Sequence, residues 1–235
     1  MLQVRNLEAR YGDFQALFGI DLDVAQGDTV ALIGSNGAGK STFLRSLTGQ
    51  IAVTPDSIKL DGKPIGGLPS DEVVKLGIAM VPEGRKLFRS LSVEENLRIG
   101  AFAGRRGMWT LPRIYELFPV LKEKRNAPGT SLSGGQQQQV AIGRALMSNP
   151  RLLLCDEVSL GLSPAVIKDI YEALPRICAE GLAVVIVEQD IDTAVRAAKH
   201  AYCFMHGRVS LQGPTAQLTK QQISAAYFGL EEVTP

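Results

Sequence analysis

The sequence of 235 residues carries almost no surplus of charge: Lys plus Arg is 25 and Asp plus Glu is 24, so no basic excess points to nucleic acid or an anionic membrane. Any phosphate binding must therefore be local. Long hydrophobic runs are also missing. The longest apolar stretches, such as Ala183 to Val187, fall far short of the roughly 18 residues that a transmembrane helix needs, and the opening MLQVRNLEARYG has no apolar signal core. The expectation is a chain that neither spans a membrane nor is exported. Cys155, Cys178 and Cys203 stand far apart without metal-ligand spacing and are expected as reduced core fillers. His200 and His206 lack metal spacing too and are expected in turns or on the surface. There are no low-complexity tracts and no internal repeat, which leaves one compact unit with subdivisions.

What is there begins with alternation. Leu2, Val4 and Leu7 suggest a strand, Phe18 to Val24 repeats apolar and polar residues with period two, and Gln26-Gly27-Asp28 signals a turn, which together predict an antiparallel β segment. Thr29 to Ile33 is then continuously apolar, the pattern of a strand covered on both faces in a parallel sheet. Similar runs recur at Ile78 to Val81, Leu152 to Cys155, Ala183 to Val187 and Ala201 to Met205, with helical stretches between several of them. Between Leu91 and Asn149 no such run appears. Ser92 to Glu95 has the capping-box form there, and Arg113 to Leu121 shows helical spacing, so this part is expected to be a helical subdomain. Trp109 and Met108 are expected to serve helix packing, and His206-Gly207 to turn a hairpin before one or two helices over Thr215 to Phe228.

The chemistry is concentrated after Ile33. Gly34-Ser35-Asn36-Gly37-Ala38-Gly39-Lys40-Ser41 satisfies G-x-x-x-x-G-K-[ST] between a strand and a helical stretch that starts at Thr42. Glycines let consecutive backbone N–H groups converge on a phosphate, and a helix N-terminus adds partial positive charge. Lys40 can reach the terminal phosphates and the Ser41 hydroxyl can bind Mg²⁺. A nucleoside triphosphate site follows. It needs an acidic group for the metal and another for the attacking water, and Asp156-Glu157 supplies both at the carboxyl end of an apolar strand. Because neighbours on a strand face opposite ways, Asp156 is expected in the metal shell and Glu157 on the water. Ser133-Gly134-Gly135-Gln136, just ahead of a helical stretch over Val140 to Met147, reads on physics alone as a second anion-binding helix start.

The order GSNGAGKS, LSGGQ, LLLCDE resembles the nucleotide-binding subunits of ATP-binding-cassette transporters over essentially the whole chain. The resemblance implies an α/β fold: a P-loop NTPase core with a mostly parallel sheet, an N-terminal antiparallel β segment and an inserted helical subdomain. Core and β segment would span about 1–88 and 150–235, and the subdomain 89–149. It implies that Ser133 to Gln136 of one subunit close over ATP on the phosphate loop of another, identical or related, so that a lone chain is incomplete. It places Tyr11 where an aromatic stacks on adenine, Glu83 where many members have a glutamine that touches nucleotide and metal, and Gln189 where many have a histidine near the γ-phosphate. Glu83, Gln189 and Ser159-Leu160-Gly161-Leu162 resemble the subgroup that serves bacterial uptake of branched-chain amino acids. Val158 and Ser163 depart from the wider family, which has a proline and often an aspartate there.

These features imply an ATPase that uses ATP and Mg²⁺ and lies peripherally on the cytoplasmic face of the cell membrane. Its partners would be permease chains and, indirectly, a periplasmic binding protein. Two other readings remain open: a soluble ATPase of the same family in DNA repair or translation, and a nucleotide-gated interaction module that binds ATP without turning it over.

Overall fold

A computed structural model describes residues 1–230. The last five residues of the core half expected over 150–235 lie outside the described residues. The strands are β1 (Leu2–Tyr11), β2 (Phe14–Val24), β3 (Thr29–Ile33), β4 (Ile58–Leu60), β5 (Lys63–Pro64), β6 (Ile78–Val81), β7 (Leu152–Asp156), β8 (Ala183–Glu188), β9 (His200–Met205) and β10 (Arg208–Pro214). The α-helices are α1 (Lys40–Leu47), α2 (Ser70–Leu76), α3 (Val93–Ile99), α4 (Leu111–Leu117), α5 (Pro119–Glu123), α6 (Gly134–Leu146), α7 (Pro164–Ala179), α8 (Ile191–Ala197) and α9 (Lys220–Phe228).

Two sheets form. The first is antiparallel, in the order β2-β1-β4-β5; the second runs β10-β9-β3-β8-β7-β6 and is parallel throughout except for β10 at its edge. The parallel strands are the apolar runs of the sequence, and the residues of each divide by parity between two cores. Ala31, Ile33, Leu153, Cys155, Val184, Ile186, Ala201 and Cys203 face a core shared with α6 and α7. Val30, Leu32, Leu152, Leu154, Val185, Val187, Tyr202 and Phe204 face a second core, closed by α1 and the antiparallel sheet. β3 lies between β8 and β9, so the loop that leaves its carboxyl end emerges near the middle of the sheet.

Local chemistry explains most of the boundaries. The β9–β10 hairpin turns on His206 and Gly207, both at positive φ (48° and 73°), as a two-residue hairpin loop demands. Ser92 and Glu95 close the capping box that starts α3. The single helical stretch expected over Arg113 to Leu121 is instead two helices, because Pro119 bars a helical conformation at Phe118, which sits at φ −131°, ψ 80°. Trp109 is buried, as helix packing requires, whereas Met108 is exposed. Cys155 and Cys203 are core residues, but Cys178 is only half-buried and its thiol meets the Thr29 hydroxyl at 3.3 Å. His200 is part of β9 rather than a turn residue, its backbone paired between Val30 and Pro214.

Candidate functional site

The segment from Gly34 to Gly39 leaves β3 and enters α1 with Lys40 as its first residue. Gly39 takes φ 109°, a backbone conformation that strains any residue with a Cβ, and a Cβ there would also press on a Leu17 methyl at 2.8 Å. α1 has no side-chain cap, which leaves its first N–H groups available to an anion. Lys40 is buried, and its ammonium donates to the carbonyls of Gly34 (2.6 Å) and Ser35 (2.9 Å). Burial lowers its pKa, against the opposing pull of Glu157 and Asp156.

Asp156 ends β7, next to β8 in the sheet. Its carboxyl pKa is pushed up to about 6, first by burial and then by the charges of Glu157 and Glu83, with Lys40 and Arg45 opposing. Its Oδ1 is buried and has no hydrogen-bond partner. An orphaned, desolvated carboxylate oxygen beside a phosphate loop suits a hard cation. Among the described residues no three His, Cys, Asp or Glu side chains converge, so an ion here would complete its shell with the Ser41 hydroxyl, phosphate oxygens and water, which is the habit of Mg²⁺.

What separates Glu157 from Asp156 is not strand alternation. It stands past the end of β7 at φ 48°, a left-handed conformation that re-aims its side chain, and its backbone N–H donates to the Val187 carbonyl at 3.0 Å. Gln189 Nε2 donates both to Glu157 Oε2 (2.8 Å) and to Asn36 Oδ1 (3.0 Å). One amide thereby joins the phosphate loop to the acidic pair. Asp190, not Gln189, caps α8, accepting from the Thr193 N–H at 2.6 Å.

Tyr11 is exposed at the end of β1, its hydroxyl 3.4 Å from Thr42 Oγ1 and 3.3 Å from an Arg45 nitrogen. These hydroxyl contacts set the ring beside α1. Glu83 is exposed just beyond β6.

Ser133 to Gln136 form the N-terminus of α6. Ser133 Oγ accepts from the Gln136 N–H at 3.3 Å, and the Gln136 side chain accepts from the Ser133 N–H at 3.1 Å, a closed capping box. Gly135 packs so tightly on α7 that a Cβ would lie 2.5 Å from a Val166 methyl, and Gly134 faces the Arg85 guanidinium. Hydrogen bonds join Asn36, Gln189 and Glu157, and the charges of Lys40 and Asp156 lie close to Glu157, whereas among the described residues no hydrogen bond links Ser133 to Gln136 with the phosphate loop.

Sequence reasoning missed Glu188 and Tyr171. Glu188 is buried and accepts from the hydroxyls of Ser159 and Tyr171, both at 2.5 Å. The available signal was a carboxylate at the end of the apolar run Ala183 to Val187, which must find partners once the strand is buried.

Residues 17–159 match the family described as ABC transporter. The chain is 42% identical over 232 residues to the high-affinity branched-chain amino acid transport ATP-binding protein BraG of Pseudomonas aeruginosa, covering 97% of this chain and 100% of that one. It is 32% identical to a probable branched-chain amino acid transport ATP-binding protein, LivF, of Archaeoglobus fulgidus, covering 94% and 95%. Among solved structures it superposes on an ATP-binding subunit of an ABC transporter with a TM-score of 0.82 at 28% identity, covering 100% of this chain and 95% of that one. A dimeric ATP-binding cassette in a post-hydrolysis state, bound to ADP and Pi, gives a TM-score of 0.80 at 26% identity, with 92% and 99% covered. Sequence order, fold and site geometry agree with these matches, and the chain belongs to the ABC transporter family.

Proposed function

We propose that this chain is the ATP-hydrolysing subunit of an importer for branched-chain or other hydrophobic amino acids, working in pairs at the cytoplasmic face of the membrane beneath separate permease chains. The observation that carries the hydrolytic part is the bonded line Asn36–Gln189–Glu157, which sets a carboxylate against the phosphate loop. The amino-acid cargo rests on the likeness to BraG and LivF. No helix among the described residues is long and apolar enough to cross a membrane, so separate chains would form the path. Exposed Phe88, Ile99 and Phe102, in and just before the segment 89–149, offer apolar surface to such chains. In this reading 1–88 and 150–235 form the core and β segment of one cassette, and 89–149 its inserted helical subdomain.

The backbone N–H groups of Gly34 to Gly39 and the start of α1 cradle the phosphates, and Lys40 exchanges its two carbonyl partners for phosphate oxygens. Tyr11 stacks on the adenine. Asp156 and Ser41 would hold Mg²⁺, with Glu83 at the same pole, and the ion would supply charge neutralisation to the phosphates. Glu157 orients the attacking water and takes its proton as the new P–O bond forms and the bond to the β-phosphate oxygen breaks. Gln189 donates to Glu157 and cannot relay a proton itself. Ser133 to Gln136 of a second subunit complete the site over the γ-phosphate.

Uptake of radiolabelled leucine tests this in cells that lack the chain and are complemented by the parent or by Glu157→Gln. The parent is expected to restore uptake and the variant is not. Leucine uptake that is indifferent to the deletion would overturn the cargo, and equal uptake with both forms would overturn the hydrolytic role.

A further inference from the structure

Glu188 and Gln189 are neighbours whose side chains part company. Gln189 turns toward the phosphate loop, and Glu188 turns into the core shared with α7. There Glu188 Oε2 accepts from Ser159 Oγ at 2.5 Å, while its Oε1 accepts from Tyr171 Oη of α7 at 2.5 Å and from the Ser159 N–H at 3.3 Å. Each of these hydrogen bonds therefore runs to α7 or to the turn that follows Glu157. It is 2% exposed, and burial raises its pKa while these hydrogen bonds pull the other way.

Three links now run side by side between residues 157–159 and 187–189: Glu157 N–H to the Val187 carbonyl, Gln189 to the Glu157 carboxylate, and Ser159 to the Glu188 carboxylate. Glu157 sits at φ 48°, a left-handed conformation that is unfavourable for a residue with a Cβ and that surrounding bonds help to hold. Charge-assisted hydrogen bonds in a fully partnered buried network are the means to do so. We infer that Glu188, through Ser159 and Tyr171, is a positioning residue for hydrolysis that fixes the turn carrying Glu157 and thereby the aim of its carboxylate at the attacking water. This rests on the assignment of Glu157 to that water.

A double-mutant cycle on the full-length chain, read by single-turnover phosphate release and by binding of a fluorescent ATP analogue, tests the inference. Glu188→Ala is expected to lower the hydrolysis rate roughly tenfold while nucleotide affinity stays within about twofold. Glu188→Gln, whose amide can donate to Ser159 Oγ and whose carbonyl can accept from Tyr171, should recover most of that rate. On a Glu157→Gln background the same Glu188→Ala change should add less than about twofold, since its route to the reaction is already gone. If Glu188→Ala does not fold, Tyr171→Phe and Ser159→Ala carry the cycle, each removing a side-chain link and each expected to lower the rate roughly threefold. A parental rate in the folded Glu188 or link variants, or a full loss repeated on the Glu157→Gln background, would overturn the inference. Parental turnover in Glu157→Gln alone would overturn the Glu157 assignment and this inference with it, whereas a slow Glu157→Gln beside a parental Glu188→Ala would overturn this inference only.

Discussion

The phosphate-loop pole and the N-terminus of α6 are both glycine-rich helix starts, yet they stand in opposite states of satisfaction. At the loop, the ammonium of Lys40 rests on two main-chain carbonyls, Asp156 keeps an orphaned oxygen and α1 has no side-chain cap. At α6, Ser133 and Gln136 cap each other and Gly135 is packed against Val166. A site with unmet electrostatic demands can draw a ligand to itself. A helix start that has closed its own capping box, as α6 has, gains little by doing so. In the proposed composite site, that difference would give the two helix N-termini of one chain unequal parts.

The largest expected effect breaks the demanding pole without emptying it. Glu157→Gln should retain ATP binding and lower turnover by a factor on the order of 10² or more, and should accumulate as an ATP-dependent dimer on size-exclusion chromatography. A raised KM for ATP with kcat unchanged would reverse the roles of Glu157 and Asp156.

Next comes the α6 side. Ser133→Arg should bind ATP nearly as the parent does yet fail to hydrolyse it, because bulk and charge occupy the seam. Mixed one to one with Lys40→Ala, it forms hetero-pairs in half of all dimers, each with one intact composite site, so roughly a quarter of parental activity should return in a homodimeric enzyme. Hetero-pairs shown to form without activity would count against a site in which one intact half-pair suffices.

Gln189→Ala, which cuts the tie between Asn36 and Glu157, should lower turnover by roughly tenfold and affinity much less. Gln189→His should add a dependence on pH near ~6.5 that the parent lacks, seen by comparing rate profiles across neutrality.

The smallest effect concerns stability without nucleotide or divalent cation. The folded-state pKa of Asp156, raised to about 6 from 3.8, means that the fold favours the protonated form. That contribution is full below the lower value and is lost as pH rises through the higher one. At pH 7 to 8 Asp156→Asn should therefore raise Tm by a few degrees, for roughly 2 kcal/mol, and the gain should vanish as pH falls toward ~4. Added Mg²⁺ and ATP should reverse the ranking by stabilising the parent more.

Much of the fold was legible because the parallel strands are apolar runs with both faces covered, and because the phosphate loop needs glycines that few other structures need in that order. Residues with one bonded partner close in sequence, such as Ser92 with Glu95, were legible as well. What stayed hidden depended on packing across the sheet. The left-handed turn at Glu157 leaves no mark in residue type, and strand alternation, the ground for separating Asp156 from Glu157, does not apply because β7 ends at Asp156. Tyr171 lies 17 residues from the carboxylate it meets, and only the placement of α7 over β8 brings them together. The break at Phe118 was written in Pro119, but the apolar spacing on both sides masked it.

The parity of β8 has an evolutionary consequence. Its even-numbered residues serve one core and its odd-numbered ones the other; Glu188, its last residue, meets Tyr171, and Gln189 just past its end bonds to Asn36 and Glu157. Loss or gain of one residue within Ala183 to Val187 would exchange the two cores at a stroke and turn the carboxylate outward and the amide inward. Descendants of this sequence can trade one apolar side chain for another along the strand where neighbours repack, but length there is not a variable that selection can adjust by single steps.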